Sequence, residues 1–442
     1  MVQEDPLLLH GSPEQVKRVA QRLSDLGVDR VRITAGWSAI APGNRDERKP
    51  DFDASDPAAY GDSWAPVDRA VEAVVDAGMR PMLDVAFWAP RWAVERQVGG
   101  PDNYRWKPDP REFAQFAQAA ARRYDGSFED LPAVRLWSTW NEPNHPTFLL
   151  PQWERRAGEL VPVSPHIYRT LHNAGYDAIK AVDEDNEVLI GNLSSRGDPA
   201  GVERRMAPMI FVRELACVDE ALEPLDRPEC RDFRPLQADG FAHHPYSFDQ
   251  APDQRSTDPD EVRLGDLDRL SDLLAELHRR GRLAARLPLY LTEFGYESNP
   301  PAARGIDLET QARWLSQATA IVHARDDVRM HAQFLLNDVE PAVLFQTGLR
   351  FVDGSPKPAL AAFRLSFFAD RGAGFGLLRP GSGERELTLE RRGTGGSFEA
   401  ERTVRSNADG EAWFELERPG AYRLTHERDH SVVITLPRRP GR

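Results

Sequence analysis

Along most of the chain, apolar residues follow two patterns that alternate. Amphipathic segments with apolar positions three or four residues apart predict helices, and short, nearly continuous apolar runs predict buried strands. Three of the predicted helices begin with a capping residue followed by proline: "SPEQVKRVAQRLSDLG" from Ser12, "DPREFAQFAQAAARRYDG" from Asp109 and "SPHIYRTLHNAGYDAIKAVD" from Ser164. The predicted strands that follow these helices are "VDRVRIT" from Val28, "VRLWSTW" from Val134 and "EVLIGNL" from Glu187.

The alternation continues through further helix and strand patterns. Predicted helices are "WAPVDRAVEAVVDAG", "LDRLSDLLAELHRRG", "LETQARWLSQATAIVHAR" and "PKPALAAFRLSFFA", and predicted strands are "RPMLDVAF", "GFAHHPY", "LPLYLTEF" and "MHAQFLL". Such alternation is typical of parallel strands joined by right-handed crossovers. We therefore predict an α/β fold, a (β/α)8 TIM barrel. An open doubly wound sheet is the alternative, but the glycine-rich phosphate loop that it needs after the first strand is missing.

The first barrel strand is the weakest element of this prediction. Seven strands follow the first predicted helix, so an eighth must precede it if the sheet closes. Only "MVQEDPLLLH" is available there, and Pro6 interrupts it.

The pattern changes after about Asp370. Short alternating segments, separated by Gly, Asn, Asp or Pro, replace the helix pattern. We predict a small C-terminal antiparallel β-sandwich domain at residues 370–442, after a catalytic barrel at residues 1–369. Trp413 and Tyr422 fit core positions of its strands as well as they fit a platform for sugar binding.

Composition excludes several classes of protein. The chain has 442 residues, 40% of them hydrophobic, and a net charge of -14, which argues against nucleic acid as a partner. No apolar run reaches the roughly 20 residues of a membrane span, so we expect no membrane partner. The N-terminal "MVQEDPLLLHGSPEQ" lacks a basic segment and a long apolar run. We expect a secreted protein whose signal peptide is not part of this sequence, and a cytoplasmic location stays open.

Two cysteines, Cys217 and Cys230, flank a segment rich in proline and acidic residues. A disulfide between them would stabilise the fold by roughly 3 kcal/mol, and two free thiols are the alternative. The Cys-x-x-Cys spacing of a structural zinc site does not occur, so we expect no metal and no cofactor.

Several polar and aromatic residues come at or just after the ends of predicted strands. Functional groups of a parallel barrel gather at this face. The residues are Arg32, Trp37, Phe87, Trp88, Asn141, Glu142, His244, Tyr246 and Glu293. Two of them, Glu142 and Glu293, are carboxylates far apart in sequence but at the same end of the sheet. Glycoside hydrolysis needs such a pair, one as proton donor and one to attack the sugar or activate water.

Three motifs carry a specific resemblance. "TWNEPNH", "HHPYS" and "LTEFGYES" resemble the strand-four, strand-six and strand-seven signatures of clan A glycoside hydrolases, which are retaining (β/α)8 enzymes. These motifs are most similar to those of family 39 and its relatives near family 5. The stretch "FQTGLRFVDGSPKPALAAF", from Phe345 to Phe363, is also similar to the end of those barrels. The resemblance covers most of the chain from Ser12 onward.

The resemblance implies a retaining glycoside hydrolase that cleaves O-glycosidic bonds by double displacement. Its partner would be an oligosaccharide, polysaccharide or glycoside substrate, and the oligomeric state stays open. It implies Glu142 as general acid/base, Glu293 as nucleophile, Asn141 as ligand of the sugar 2-hydroxyl, His244 and Tyr246 as supports of the carboxylates, and Arg32 beside the nucleophile. A neighbouring arginine and a tyrosine hydroxyl favour an ionised nucleophile, and a less polar setting favours a protonated acid.

Each assignment has a structural alternative. Arg32 could pair with an acid on a helix, and the two glutamates could be buried structural carboxylates. Aromatic rings suit the C–H faces of sugars, but among Trp37, Trp88, Trp92 and Trp140 we expect at least one to be plain core. His243 is expected to be packed beside the functional His244. Weaker candidates are Asn144, His145, Asn337 and Asp338, with Asp84 as a supporting acid.

Two other functions stay open at this point. A metal-dependent hydrolase on the same barrel would use His243 and His244, but the sequence lacks the remaining ligands. A non-catalytic carbohydrate-binding barrel would explain the weak first strand, although both glutamates are present. The long segments from Ala41 to Trp64 and from Ser195 to Asp239 are expected to wall the cleft, and they leave the sugar, the linkage and exo or endo action open.

Overall fold

The computed structural model of the protein describes residues 1–95, 104–341, 345–370, 372–381 and 383–437. Its centre is a parallel sheet whose strands, from first to seventh, are Val2–Gln3, Arg30–Gly36, Arg80–Ala86, Leu136–Thr139, Glu187–Ser194, Gly240–His244 and Leu289–Leu291. The eighth strand has two parts, Val328–His331 and Gln333–Phe334. The α-helices are Asp5–His10, Pro13–Asp25, Trp37–Ile40, Ala65–Asp76, Pro110–Arg123, Ser164–Val182, Pro208–Leu215, Leu267–Arg279, Leu308–His323 and Pro358–Arg364.

The first strand closes the barrel although it has only two residues. Val2 pairs with Val31 on one side and with Gln333 on the other, and Gln3 pairs in the same way with Arg32 and Phe334. The other part of the eighth strand pairs with the seventh strand. The sheet therefore returns on itself, and the predicted TIM barrel is confirmed. Pro6 does not interrupt the strand, because it lies in the helix Asp5–His10 that follows.

Local sequence explains where the helices begin. The Ser12 hydroxyl accepts a hydrogen bond from the backbone N–H of Gln15, whose side chain accepts one from the Ser12 N–H in return. Asp109 caps its helix by accepting hydrogen bonds from the backbone N–H groups of Arg111 and Glu112. Ser164 differs from the prediction, because it is already helical and its hydroxyl donates to Gln152 at 2.9 Å.

The last predicted helix is shorter than its pattern suggested. It ends at Arg364, and Leu365–Asp370 forms a strand instead. Leu365, Phe367 and Ala369 are buried at every second position, which is the period of a strand with one buried face. This strand pairs with Ala373–Leu378, so antiparallel structure begins at Leu365. The division into domains at residues 369 and 370 stays a prediction.

The C-terminal region has two antiparallel sheets, as predicted. One sheet contains Leu365–Asp370, Ala373–Leu378 and Glu411–Glu415. The other contains Glu386–Arg392, Phe398–Arg405, Gly420–His426, Asp429–His430 and Ile434–Leu436. Tyr422 is fully buried in the core between them. Trp413 is 51% exposed, and its ring centroid lies 4.6 Å from that of Phe375.

Two further expectations can be compared with the structure. Cys217 and Cys230 form a disulfide, with Cα atoms 5.6 Å apart. The segment from Ala41 to Trp64 contributes Tyr60 and Trp64 to a cluster with Phe116 on an outer helix, and its role as a wall of the cleft stays a prediction. Among the described residues, no helix combines the length and the apolar character that crossing a membrane requires.

Candidate active site

The two predicted carboxylates meet at the carboxyl end of the barrel. Glu142 follows the fourth strand and Glu293 the seventh, and an oxygen of each lies within 4.8 Å of the other and of a His244 nitrogen. Their side chains are 13% and 11% exposed, so both remain accessible. An approach this short between two oxygens is consistent with the about 5 to 5.5 Å that separates the carboxyl groups of retaining enzymes.

Arg32 organises the nucleophile side of the site. It is fully buried, and one guanidinium nitrogen donates to Glu293 at 2.5 Å. The other donates to Asp84 and to the side-chain oxygen of Asn141, both at 2.8 Å. Because the Asn141 oxygen is used in this way, its amide nitrogen is left to donate to a ligand. Arg32 therefore pairs with the site and not with a helix acid.

His244 and Tyr246 hold one carboxylate each. His244 Nδ1 lies 3.0 Å from Glu142 Oε1 and 3.6 Å from Glu293 Oε2. Tyr246 donates its hydroxyl to Glu293 Oε2 at 3.1 Å. Burial and the nearby charge of Arg32 hold the pKa of His244 well below its ordinary value, so the imidazole is neutral. Burial and the charge of Glu293 raise the pKa of Tyr246, which therefore stays a donor.

The two carboxyls differ in their electrostatic setting. Burial raises the pKa of Glu142 well above its ordinary value, and the charge of Glu293 raises it further. Burial also raises the pKa of Glu293, but Arg32 and Tyr246 oppose this rise with direct hydrogen bonds. Since only Glu293 has such donors, a proton shared by the pair resides on Glu142. The expected effects of arginine and tyrosine are present, but burial outweighs them in the net shift at Glu293.

Asn192, at the end of the fifth strand, connects both catalytic strands and escaped the sequence analysis. Its backbone oxygen accepts from the Glu142 N–H at 2.9 Å. Its side chain donates to Trp140 O at 2.7 Å and to Asp84 at 3.1 Å, and accepts from Thr292 at 2.9 Å. A polar amide inside the apolar run "EVLIGNL" was the signal that could have identified it.

Backbone strain is concentrated around the same residues. Trp140, Glu142 and Asn192 have φ of 66°, 37° and 51°, in the left-handed region. Each such non-glycine residue costs about 1 to 3 kcal/mol and persists only when its surroundings enforce it. Here the hydrogen bonds of Asn192 to the backbone of Trp140 and Glu142 supply that restraint.

Trp37 is a core residue, which corrects its prediction as a substrate-binding residue. It is fully buried, and its ring centroid lies 5.6 to 6.2 Å from those of Trp92, Phe113 and Phe116. Trp140 is also fully buried, with its ring at 5.6 Å from Phe113. Neither ring can stack on a sugar, because other aromatic residues of the outer helices cover it.

Trp88 differs from these two residues. It follows the third strand and is 38% exposed. Its indole N–H donates to the backbone oxygen of Thr147, in the loop that follows Glu142, at 2.6 Å. An exposed ring anchored in this way at the rim of the site suits a sugar face. Trp88 therefore stays a candidate for substrate binding.

Most of the weaker candidates have structural contacts. Asn144 is buried and donates to the backbone oxygens of Ser194 and Met206, so it joins the end of the fifth strand to the segment that follows it. Asp338 forms a buried ion pair with Lys357 at 2.7 Å. Asp84 is fully buried against Arg32, as expected for a supporting acid, and burial raises its pKa to about 6.

His243 and His145 are not positioned for catalysis. His243 is buried and its Nε2 lies 2.8 Å from the backbone oxygen of Val262. Burial lowers the pKa of both histidines to about 4. His145 Nδ1 accepts a hydrogen bond from the Thr147 N–H. Asn337, another of the weaker candidates, donates its backbone N–H to Glu4. The histidine pair of the metal-hydrolase alternative therefore does not converge.

Two groups in the described part of the chain bring three potential metal ligands within 4.8 Å. One is His166, Cys217 and Cys230, whose sulfurs are joined in the disulfide. The other is Glu142, His244 and Glu293. In this second group Glu293 already accepts hydrogen bonds from Arg32 and Tyr246, an arrangement that suits acid–base chemistry.

A match to a known protein family covers most of the chain. Residues 6–327 match the family Cellulase (glycosyl hydrolase family 5). No curated protein sequence matches the chain.

Solved structures share the fold. A family 39 glycoside hydrolase from Bacteroides cellulosilyticus WH2 is 16% identical, with 94% of this chain and 80% of that chain covered and a TM-score of 0.53. A GH39 enzyme from Xanthomonas axonopodis pv. citri is 17% identical, with 94% and 90% covered and a TM-score of 0.52. A monomeric beta-xylosidase from Caulobacter crescentus CB15 is 15% identical, with 94% and 93% covered and a TM-score of 0.54.

Proposed function

The chain belongs to the cellulase family, glycosyl hydrolase family 5, and is a retaining glycoside hydrolase; on this premise we propose that Glu293 is its nucleophile and Glu142 its general acid/base. The observation that carries the proposal is the asymmetric pair of carboxyls. An oxygen of each carboxyl lies within 4.8 Å of an oxygen of the other, and only Glu293 accepts hydrogen bonds from both a guanidinium and a phenol.

In the first step, the Glu293 carboxylate attacks the anomeric carbon while Glu142 gives its proton to the departing glycosidic oxygen. The bond from the anomeric carbon to that oxygen breaks, an alcohol leaves, and a glycosyl ester forms on Glu293. The loss of charge at Glu293 lowers the pKa of Glu142 at the moment when Glu142 must release its proton.

In the second step, the Glu142 carboxylate removes a proton from water, and the water oxygen attacks the anomeric carbon. The ester bond to Glu293 breaks, which restores both groups to their initial states. Arg32 and Tyr246 stabilise the returning carboxylate charge. The Asn141 amide nitrogen is placed to donate to the sugar 2-hydroxyl, and Trp88 offers a ring to a sugar face. The substrate class we propose is an oligosaccharide, polysaccharide or simple glycoside.

Azide rescue separates the two roles. With an activated aryl glycoside, Glu293→Ala should lose activity and regain turnover in azide, which then forms a glycosyl azide of inverted configuration. Glu142→Ala should instead form a glycosyl azide of retained configuration, because Glu293 still makes the ester. An exposed glutamate, Glu309, provides the control Glu309→Ala with unchanged activity. Exchanged azide products, or turnover like the wild type in either variant, would refute the assignment.

A further inference from the structure

The guanidinium of Arg196 lies at the active-site face, and no acidic side chain of the described structure forms an ion pair with it. It lies two residues beyond the fifth strand, Glu187–Ser194. Its guanidinium carbon lies 3.4 Å from the centroid of the Phe248 ring. Its Nε is buried without a hydrogen-bond partner, and no hydrogen bond or ion pair joins the side chain to a described residue.

The position of Arg196 is close to the catalytic groups. The Phe248 ring that it covers lies 6.1 Å from the ring of Tyr246, which donates to Glu293. The charge of Arg205 also acts on both Arg196 and Glu142. Arg196 therefore lies at the rim of the site that Glu142 and Glu293 form.

The backbone on both sides of Arg196 is fixed. The Ser195 hydroxyl donates to Tyr246 O at 2.8 Å, and Ser195 O accepts from the Val262 N–H at 3.0 Å. A side chain at Gly197 would place its Cβ 2.7 Å from Ala207, so the chain is tightly packed there. A charge held on such a support loses little conformational freedom when a ligand binds.

Neighbouring arginines have acidic partners, and Arg196 does not. Arg205 forms two hydrogen bonds with Asp198, at 3.0 and 3.1 Å. Arg263 pairs with Glu261 at 2.8 Å. Burial, followed by the charges of these two arginines, lowers the pKa of Arg196. Glu261 and Asp249 act in the opposite direction with smaller effects, but neither forms an ion pair with Arg196, whose guanidinium is left to pair with an anionic ligand.

We propose that Arg196 binds an acidic group of the substrate, a carboxylate or a sulfate ester carried by the sugar, and so makes this enzyme selective for anionic glycosides. The planar guanidinium presents parallel N–H donors that match two oxygens of either group. This inference rests on the proposed function of Glu142 and Glu293, whose chemistry it leaves unchanged.

The test compares matched 4-nitrophenyl glycosides in both anomeric configurations: neutral hexosides, the corresponding uronides, and hexosides with a 6-sulfate. The wild type should show a higher kcat/KM for one charged series than for the neutral one, and the preferred series distinguishes carboxylate from sulfate. Arg196→Gln should lower kcat/KM for that series about 10- to 100-fold, mainly through KM, and change the neutral series less than about twofold. Arg204→Gln, at an exposed arginine of the same loop, is the control that should change neither.

The outcomes separate this inference from the proposed function. Preference for neutral glycosides, or equal behaviour of the Arg196 and Arg204 variants, would overturn the inference alone. Absence of turnover on every glycoside would overturn both. If thermal melting shows that Arg196→Gln is not folded, Arg196→Lys replaces it in the test. Lysine keeps the positive charge but lacks the second parallel N–H donor of the guanidinium, so this variant should lose part of the preference for the charged series.

Discussion

Replacing Arg32 by methionine removes the only cation that bonds both Glu293 and Asp84 in the described structure. The side chains of Arg32 and Asp84 are completely buried, and that of Glu293 is 11% exposed. Breaking a buried ion pair by removing one partner costs about 3 to 5 kcal/mol, because it leaves an uncompensated charge. Arg32→Met leaves two carboxylates without their cationic partner, so we expect the unfolding free energy to fall by about 5 kcal/mol, the upper end of this range.

The same change should alter the pH dependence of catalysis. Arg32 lowers the pKa of Glu293, so its removal raises that pKa. A nucleophile must be ionised, and the acidic limb of the kcat/KM profile should therefore move to higher pH. Loss of a donor to a group that carries charge in the reaction costs about 3 kcal/mol, which corresponds to at least about a 100-fold loss of kcat/KM near neutral pH.

Urea denaturation and pH profiles of kcat/KM with an aryl glycoside measure the two effects. Arg123 supplies a matched control, because it forms a two-bond pair with Asp68 at 2.7 and 2.8 Å on the helix layer. Arg123→Met should lower stability but leave the acidic limb in place. An Arg32→Met protein within about 1 kcal/mol of the wild type, or with an unmoved acidic limb, would refute the reasoning.

Three further predictions concern stability and positioning. Burial raises the pKa of Glu4 from 4.5 to about 7, so the unfolded chain loses this proton at a lower pH than the folded protein does. The unfolding free energy should therefore fall by about 3 kcal/mol as pH rises from about 4 to 8. Urea denaturation should show a smaller fall for Glu4→Gln, and an equal fall would contradict the assignment. Replacing both Cys217 and Cys230 by serine should lower the unfolding free energy by roughly 3 kcal/mol without affecting kcat, and a large loss of kcat would assign the disulfide to the site. Asn192→Gly, which tolerates the positive φ, should lower kcat about 10- to 100-fold with little change in KM, and an unchanged kcat would show that Glu142 needs no such support.

Much of the fold could be predicted because its signals are local. Helices that begin at Pro13 and Pro110 follow from capping and period, and the strand run "EVLIGNL" from its apolar character. The first strand could not be predicted in this way, since Val2 and Gln3 are a strand only because Val31 and Gln333 flank them. Such pairing is a tertiary effect that no period reveals.

The candidate site shows the same division. Glu142, Glu293, His244 and Tyr246 could be placed because parallel strands deliver their ends to one face, whereas Arg32 lies inside the second strand and reaches Glu293 with its side chain. Burial could not be predicted. It decides that Trp37 is core, that the pKa of Glu293 rises despite its donors, and that Asn192 faces the catalytic loops rather than solvent.

The central claim is that Glu293 forms the covalent bond to the sugar. A 2-deoxy-2-fluoro glycoside with an activated leaving group, of the sugar that the substrate panel selects, slows the second step and accumulates the ester. Mass spectrometry of a peptic digest should then find the fluorosugar on the peptide that contains Glu293, and the label should disappear in Glu293→Gln. A label on a peptide without Glu293, or a product of inverted configuration by NMR, would contradict the account.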